Sequence, residues 1–415
     1  MNESYDAVVI GAGIVGVSTA LHLLMRGMKV ALIDRREPGT ETSFGNAGII
    51  GNAYVLPFGF PSLGRIPSIL LDRDVSTRVH YSSLPRYLTW LWKFYLNSQT
   101  EARYRSGRAL WPLISPSLEE HRALMRGTSA EQKLSPDGRT ALYRSDESFE
   151  SDAGSRAMAK ELNVPFDVMD TDMFGTIEPH VKPIYRKAVR WSSSWRIKDP
   201  GGLVSDYAAR FVREGGTFLQ TEVKRLDYAE SKSWRIAAGN IEIYASHAAI
   251  CVGPWANDLL KPLGYTFPLA FKRGYHRHYR AMGSAELSHA IVDVDIGYLL
   301  SPMEQGYRLT TGAELAALND PPTPVQIDHA LPHARELFPL GDAADDKTWM
   351  GSRPCFADSL PAIGPAQNHK GLWFNFGHGH VGMTIGPSSG RLLTEMIRGE
   401  KTFCDPQPFS AARFA

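Results

Sequence analysis

The chain has 415 residues, enough for two domains or for one domain with a large insertion. Its 43% hydrophobic and 21% charged residues describe a globular protein with a real core, and a formal net charge of +1 excludes a surface built for nucleic acid or acidic ligands in general. Three widely spaced cysteines, Cys251, Cys355 and Cys404, form neither a disulfide framework nor a CxxC metal site, so no metal is expected and a reducing cytoplasm fits.

The N-terminus carries no basic region before its apolar run, so no secretion signal is read, and no stretch of about 18 apolar residues predicts a membrane span. Ala7 to Ile10 read as a short strand buried on both faces. Gly11, Gly13 and Gly16 then match G-x-G-x-x-G, followed by a helical pattern, a second apolar run from Val30 to Ile33, and Asp34 at its end. Gly11 permits a tight turn, Gly13 lets a pyrophosphate approach the backbone, and Gly16 lets helix pack on strand. The helix N-terminus offers free N–H groups and a positive dipole end, and Asp34 is placed to accept from a ribose diol. This order predicts a dinucleotide site. An ordinary βαβ unit with glycines at its turn is the alternative, and the pattern does not choose between NAD and FAD.

The next stretch, "RREPGTETSFGNAGII", reads as a loop able to lie along a cofactor. Residues 54–112 begin with "YVLPFGFPSLGRIPSILL", irregular and lid-like, and continue into "SLPRYLTWLWKFYLN". There Leu88, Leu91, Trp92, Tyr95 and Leu96 fall at helical spacing, read as a core-facing stripe; docking to a membrane surface or a partner subunit is the other reading. "HAAICVGPWANDLL" is a buried strand running into Gly253, with Pro254 in the first turn of a helix. "FKRGYHRHYRAM" alternates aromatic and basic residues as a half-buried strand does, with Tyr275, His276 and Tyr279 either in a pocket or opposite a solvated basic face. "IVDVDIGYLLSPMEQGYRLTTGAEL" predicts two strands joined by "SPMEQG", with Tyr298 and Tyr307 as candidate pocket phenols. The C-terminal part gives a strand, Arg353, a turn, Asp358, another strand, and the glycine-rich "GHGHVGMTIGPSSG" opening a helix near Met383. His378 and His380 lack the carboxylate or cysteine neighbours of a metal site.

Taken together, "GAGIVG", "ETSFGNAG", "CVGPWAN", "SRPCFADSLPAIGP" and "GHGHVGMTIGPSSG" resemble the D-amino-acid oxidase superfamily of FAD enzymes, in particular its bacterial D-amino-acid dehydrogenase branch. The segments span most of the chain. The resemblance implies a Rossmann-like FAD domain from 1–85, 190–265 and 345–415, with an antiparallel-sheet-rich substrate domain from 86–189 and 266–344. It implies non-covalent FAD held by the first turn (Gly11, Gly13, Ile14, Val15, Gly16), by Asp34 and Arg35, and by the loop residues Ser43, Asn46, Ala47 and Gly48. Val223 and Gly253 are added, and Gly377, His378, Gly379, His380, Val381, Gly382 and Met383 close the site. Arg353 is the expected carboxylate anchor, with Tyr275, His276 and Tyr298 as further catalytic candidates, and an ion pair with Asp358 is the alternative for Arg353. One departure stands out: Phe356 and Ala357 precede Asp358 where Thr-Pro is common, which implies an altered pocket wall but leaves Arg353 and Asp358 in place. The implied reaction oxidises a D-amino acid, open-chain or cyclic like D-proline, to an imine by hydride transfer from Cα to flavin N5. A quinone or other carrier takes the electrons, so peripheral contact with an inner membrane stays open. An NAD-dependent dehydrogenase and an FAD-binding subunit active only within a complex are the rivals.

Overall fold

Strands that are apolar without alternation have to be covered on both sides, and Ala7, Val8, Val9 and Ile10 are all buried. The computed structural model describes residues 3–228 and 233–414, and in it Glu3–Ile10 lies inside an eight-stranded sheet. This strand runs parallel to Val30–Asp34 and to Ile241–Ile250, and Leu372–Phe376 runs parallel to the latter. Helices Ile14–Met25, Pro200–Arg213 and Gly382–Arg398 bury Val17, Leu203, Phe211 and Leu392 in one core with Val9. A Cβ added at Gly390 would stand 2.8 Å from the Thr19 nitrogen, so the first and last of these helices pack backbone to backbone. The expected Rossmann-like layer is present.

The second layer is an eleven-stranded, largely antiparallel sheet organised around one long strand, Ala270–Ala281. Gly306–Thr311 pairs along one edge of that strand and Trp349–Cys355 along the other. Strand pairing also puts Thr77–Val79 in this sheet. Thr77–Val79 and Trp349–Cys355 both come from segments that the sequence reading grouped with the dinucleotide-binding part. The stretch expected as two strands joined by "SPMEQG" contains four strands, Ala290–Asp293, Tyr298–Met303, Gly306–Thr311 and Ala313–Leu315. The hairpin turn shrinks to Glu304 and Gln305 because Met303 pairs with Gly306.

Helix Leu84–Asn97 turns opposite to the expected way. Its buried residues are Tyr87, Trp90 and Phe94, while Leu88 is 58% and Trp92 60% exposed. The helix carries two apolar stripes, and the aromatic one wins the core because its polar tips find partners there. The Tyr87 hydroxyl donates to Ala316 O (3.0 Å) and Trp90 Nε1 to Cys355 O (3.1 Å). Among the described residues no helix is long and apolar enough to cross a membrane.

Candidate active site

At the first turn, geometry separates glycines that must be glycine for packing from one that leaves room. Gly11 has φ 108°, and a Cβ there would stand 2.5 Å from Cys251 O; one on Gly16 would overlap Gly11 O. Gly13 would meet only Ser43 Oγ, at 3.4 Å, so its backbone faces open space. Ile14 N–H donates to Ser43 Oγ (3.1 Å), and Asp34 accepts from Ala12 N–H (2.7 Å) and Arg36 N–H (2.9 Å). A carboxylate has about four acceptor sites, so Asp34 braces the turn and retains capacity for a diol.

Gly11, Gly13, Ile14, Val15, Asp34 and Arg35 border a single cavity of about 860 Å³. Ser43, Asn46, Ala47, Val223 and Gly253 continue the same wall. Its far end is bordered by Gly377, His378, Gly379, His380, Gly382 and Met383, together with Tyr298 and Arg353. Five expected residues do not reach it. Gly16 is packed under the first turn. A Cβ on Gly48 would overlap Ile197 O, and Val381 packs against the core that holds the last helix. Tyr275 and His276 are the other two.

The closing segment reaches the cavity with an uncapped helix end. Helix Gly382–Arg398 has no side-chain cap at its N-terminus, where Thr384 also borders the cavity. Buried His121 holds this end through Met383 O (2.7 Å). His378 contacts Ser389 Oγ (3.0 Å), and burial pushes its ring down to about 3. His380 is held well below its ordinary range by burial and then by the charges of Arg353 and Lys272. Burial thus disfavours the charged form of both rings, and among the described residues no cluster of three His, Cys, Asp or Glu could hold a metal.

The substrate end is set by strand register. Lys272 lies opposite Arg353, Gly274 opposite Gly351, and His276 opposite Trp349. Alternation along the strand sends Tyr275 to the other face, where its hydroxyl donates to Glu314 (2.6 Å) and accepts from Thr323 N–H (2.9 Å). Tyr275 is thereby withdrawn from the cavity. His276 faces the right way but is covered: its ring stacks on Trp349 at 4.8 Å and 19°, and burial first, then Arg308, pushes it down to about 2. Tyr298 reaches the cavity wall, with its hydroxyl committed to His333 O (3.3 Å). Tyr279 is buried in the core and Tyr307, half-buried, packs against it.

Among the described residues Arg353 pairs with no carboxylate. Its guanidinium donates to Gly312 O at 3.4 Å, and Asp358, the alternative partner, accepts from Arg413 at 2.8 Å instead. A Cβ on Gly274 would overlap that guanidinium, so the bare glycine is the space in which it lies. Phe356 is not a wall of the main cavity. It is buried against Phe414 at 4.4 Å, beneath Gly377. Sequence reasoning missed Trp349 and Lys272. Trp349 occupies the room left by Gly45 and Gly351, where any Cβ would overlap its indole; those two small residues were the available signal.

The loop 41–48 is fastened to the substrate sheet. Arg308 donates to Phe44 O (3.0 Å) and to Asn46 O, Thr42 to Ser352 O (3.0 Å), and Ser301 to Ala47 O (3.3 Å).

Comparison with known families decides the cofactor. Residues 6–396 match the family described as FAD dependent oxidoreductase. The chain belongs to this family. It is 30% identical over its whole length, and that of its relative, to a protein named D-amino-acid oxidase from Bradyrhizobium diazoefficiens. In fold it is similar to glycine oxidase from Geobacillus kaustophilus, with a TM-score of 0.75 at 21% identity over 99% of this chain and 98% of that one. It is also similar to L-proline dehydrogenase from P. horikoshii, at TM-score 0.72 and 18% identity over 100% and 98%. The FAD-dependent oxidoreductase assignment makes FAD the cofactor and removes the NAD-dependent alternative. The residues present fit it: an open cradle at Gly13, an uncapped helix end and a continuous cavity between them.

Proposed function

We propose that this FAD-dependent oxidoreductase oxidises D-amino acids, open-chain or cyclic, to their imines. The observation that carries the reading is Arg353, a cavity-lining guanidinium without an acid partner, on the sheet facing the dinucleotide end. A planar guanidinium grips a carboxylate through two parallel hydrogen bonds and fixes position and angle together. Bound FAD supplies the acceptor for the hydride equivalent leaving Cα. The chain's own residues orient and enclose: Arg353 holds the carboxylate, and Trp349 with His380 walls the site. The uncapped helix end at Gly382 supplies N–H donors where negative charge develops. Neither neutral histidine serves as a strong base, which suits an amine that arrives uncharged; water then hydrolyses an acyclic imine. The D-amino-acid oxidase name of the relative supports the handedness.

In this reading the eight-stranded layer holds FAD without a covalent bond, since the buried Cys355 thiol is pushed up by burial and lies 3.5 Å from Arg353 O. Exposed Leu88, Trp92 and Leu96, with Arg86 and Lys93 also exposed, support a membrane-surface contact and a quinone acceptor for a cytoplasmic enzyme. The test is anaerobic bleaching of the bound flavin across D- and L-amino acids, prolines included. Reduction by D-enantiomers is expected. Bleaching by L-enantiomers alone, or by none, rejects the reading.

A further inference from the structure

The sequence reading assigned nothing to Lys272, yet it stands directly across the strand pair from Arg353. Both side chains border the cavity. Like charges directly opposite on paired strands repel, whereas a carboxylate neutralises Arg273 on the same strand and Arg144 just after strand Arg139–Tyr143. Arg273 pairs with Glu314 at 2.7 Å and Arg144 with Asp293 at 2.9 Å. Lys272 and Arg353 have no such relief. Among the described residues no carboxylate pairs with either one; after burial itself, Cys355 and Arg353 perturb Lys272, and Cys355 and Tyr54 perturb Arg353. The acids bordering this half of the cavity are engaged elsewhere, Asp152 by Tyr143 and Ser155, and Asp293 by Arg144.

The lysine is also held in place. Its Nζ lies 4.0 Å from the Phe94 ring centre and 5.2 Å from that of Trp90, both on the covering helix. Aromatic faces orient an ammonium without neutralising it. A lysine serving only solubility would extend its charged head to water; this one is shelved beside a guanidinium.

We propose that Lys272 and Arg353 form a cradle for two acid groups, so that the preferred substrate is an amino acid bearing a second carboxylate on its side chain or on its nitrogen. The inference rests on Arg353 as the α-carboxylate anchor and adds the charge class of the substrate. Arg353 takes the α-carboxylate by its planar fork. Lys272, a compact charge on a flexible stem, takes the second group and tolerates variation in its reach. The bound dianion then removes the repulsion between the two cations.

The test uses the FAD-loaded enzyme and its Lys272→Met and Lys272→Arg variants. Anaerobic flavin reduction is measured with D-aspartate and D-glutamate against D-alanine and D-proline. Binding without turnover is measured with malonate, succinate and glutarate against acetate and propionate, read from the flavin absorption band and tryptophan fluorescence. Wild-type protein is expected to favour the diacids. Lys272→Met is expected to weaken diacids about 10- to 100-fold more than monoacids, the scale of one lost charge-assisted hydrogen bond, and Lys272→Arg to restore most of the difference. Equal weakening of both classes would mean that one carboxylate is chelated by both cations, and would overturn the proposal. So would a wild-type preference for monoacids. Monoacids that bleach the flavin while diacids neither bleach nor bind would defeat this inference and leave the D-amino-acid reading standing. Lysine-dependent diacid binding with no bleaching by any amino acid would defeat the D-amino-acid reading and the substrate class with it, leaving only a two-acid cradle.

Discussion

The two faces of the long strand Ala270–Ala281 treat charge in opposite ways. On the closed face Arg273 and Glu314 are both fully buried, and Arg273 is saturated. It donates to Glu314 (2.8 Å), to Asp320 O (2.6 Å) and to Pro321 O (2.9 Å), and Tyr275 adds a further bond to the same carboxylate. On the open face, one residue earlier, Lys272 lies over the Trp90 and Phe94 rings, and its neighbour Arg353 donates to one carbonyl at 3.4 Å. A saturated buried ion is part of the scaffold. An unsaturated one lining a cavity is where the proposed acid groups would bind.

Substitutions can break or sharpen this contrast. The largest effect is expected from Arg353→Leu, which should retain FAD, keep or slightly gain stability, and lose about 1,000-fold or more in kcat/KM, as for removal of a principal positioning group. Unchanged turnover on amino acids would place the anchor elsewhere. Next comes Glu314→Gln on the closed face. It leaves Arg273 charged and uncompensated, so unfolding in urea should show a loss of about 3 kcal/mol or more, while kcat/KM of the remaining folded enzyme changes little. Equal stability losses for the two variants would erase the distinction between the faces. The smallest effect is expected from Gly274→Ala. The added methyl meets the flexible end of Arg353 rather than backbone, so the protein folds, while the displaced guanidinium raises KM about 10-fold. A KM equal to wild type would show that the guanidinium does not need that space.

How much of this was legible beforehand follows from the range of the interactions. The first turn could be read because strand, turn, helix and acidic residue run consecutively from Ala7 to Asp34, although the packing that requires Gly11 also involves Cys251 O. The uncapped helix near Met383 was legible for the same cause. Choosing between Tyr275 and His276 was not possible, since neighbours in a strand point to opposite faces and only the pairing with Trp349–Cys355 says which face looks into the cavity. Lys272 stayed hidden because its meaning comes from standing across from Arg353, a residue from a distant segment. Helix Leu84–Asn97 misled because it is apolar on two sides, and spacing alone cannot rank Leu88 and Trp92 against Tyr87, Trp90 and Phe94. What ranked them was a pair of carbonyl acceptors remote in the chain, Ala316 O just after strand Ala313–Leu315 and Cys355 O at the end of strand Trp349–Cys355.

Arg308 ties the loop that borders the dinucleotide end to the strand beside the two cations, through Phe44 O and Asn46 O. Any shift of that sheet on filling the cradle is passed to the loop through this guanidinium. Thermodynamic reciprocity then requires that whatever factor the substrate applies to the grip on flavin, the flavin returns to the grip on substrate.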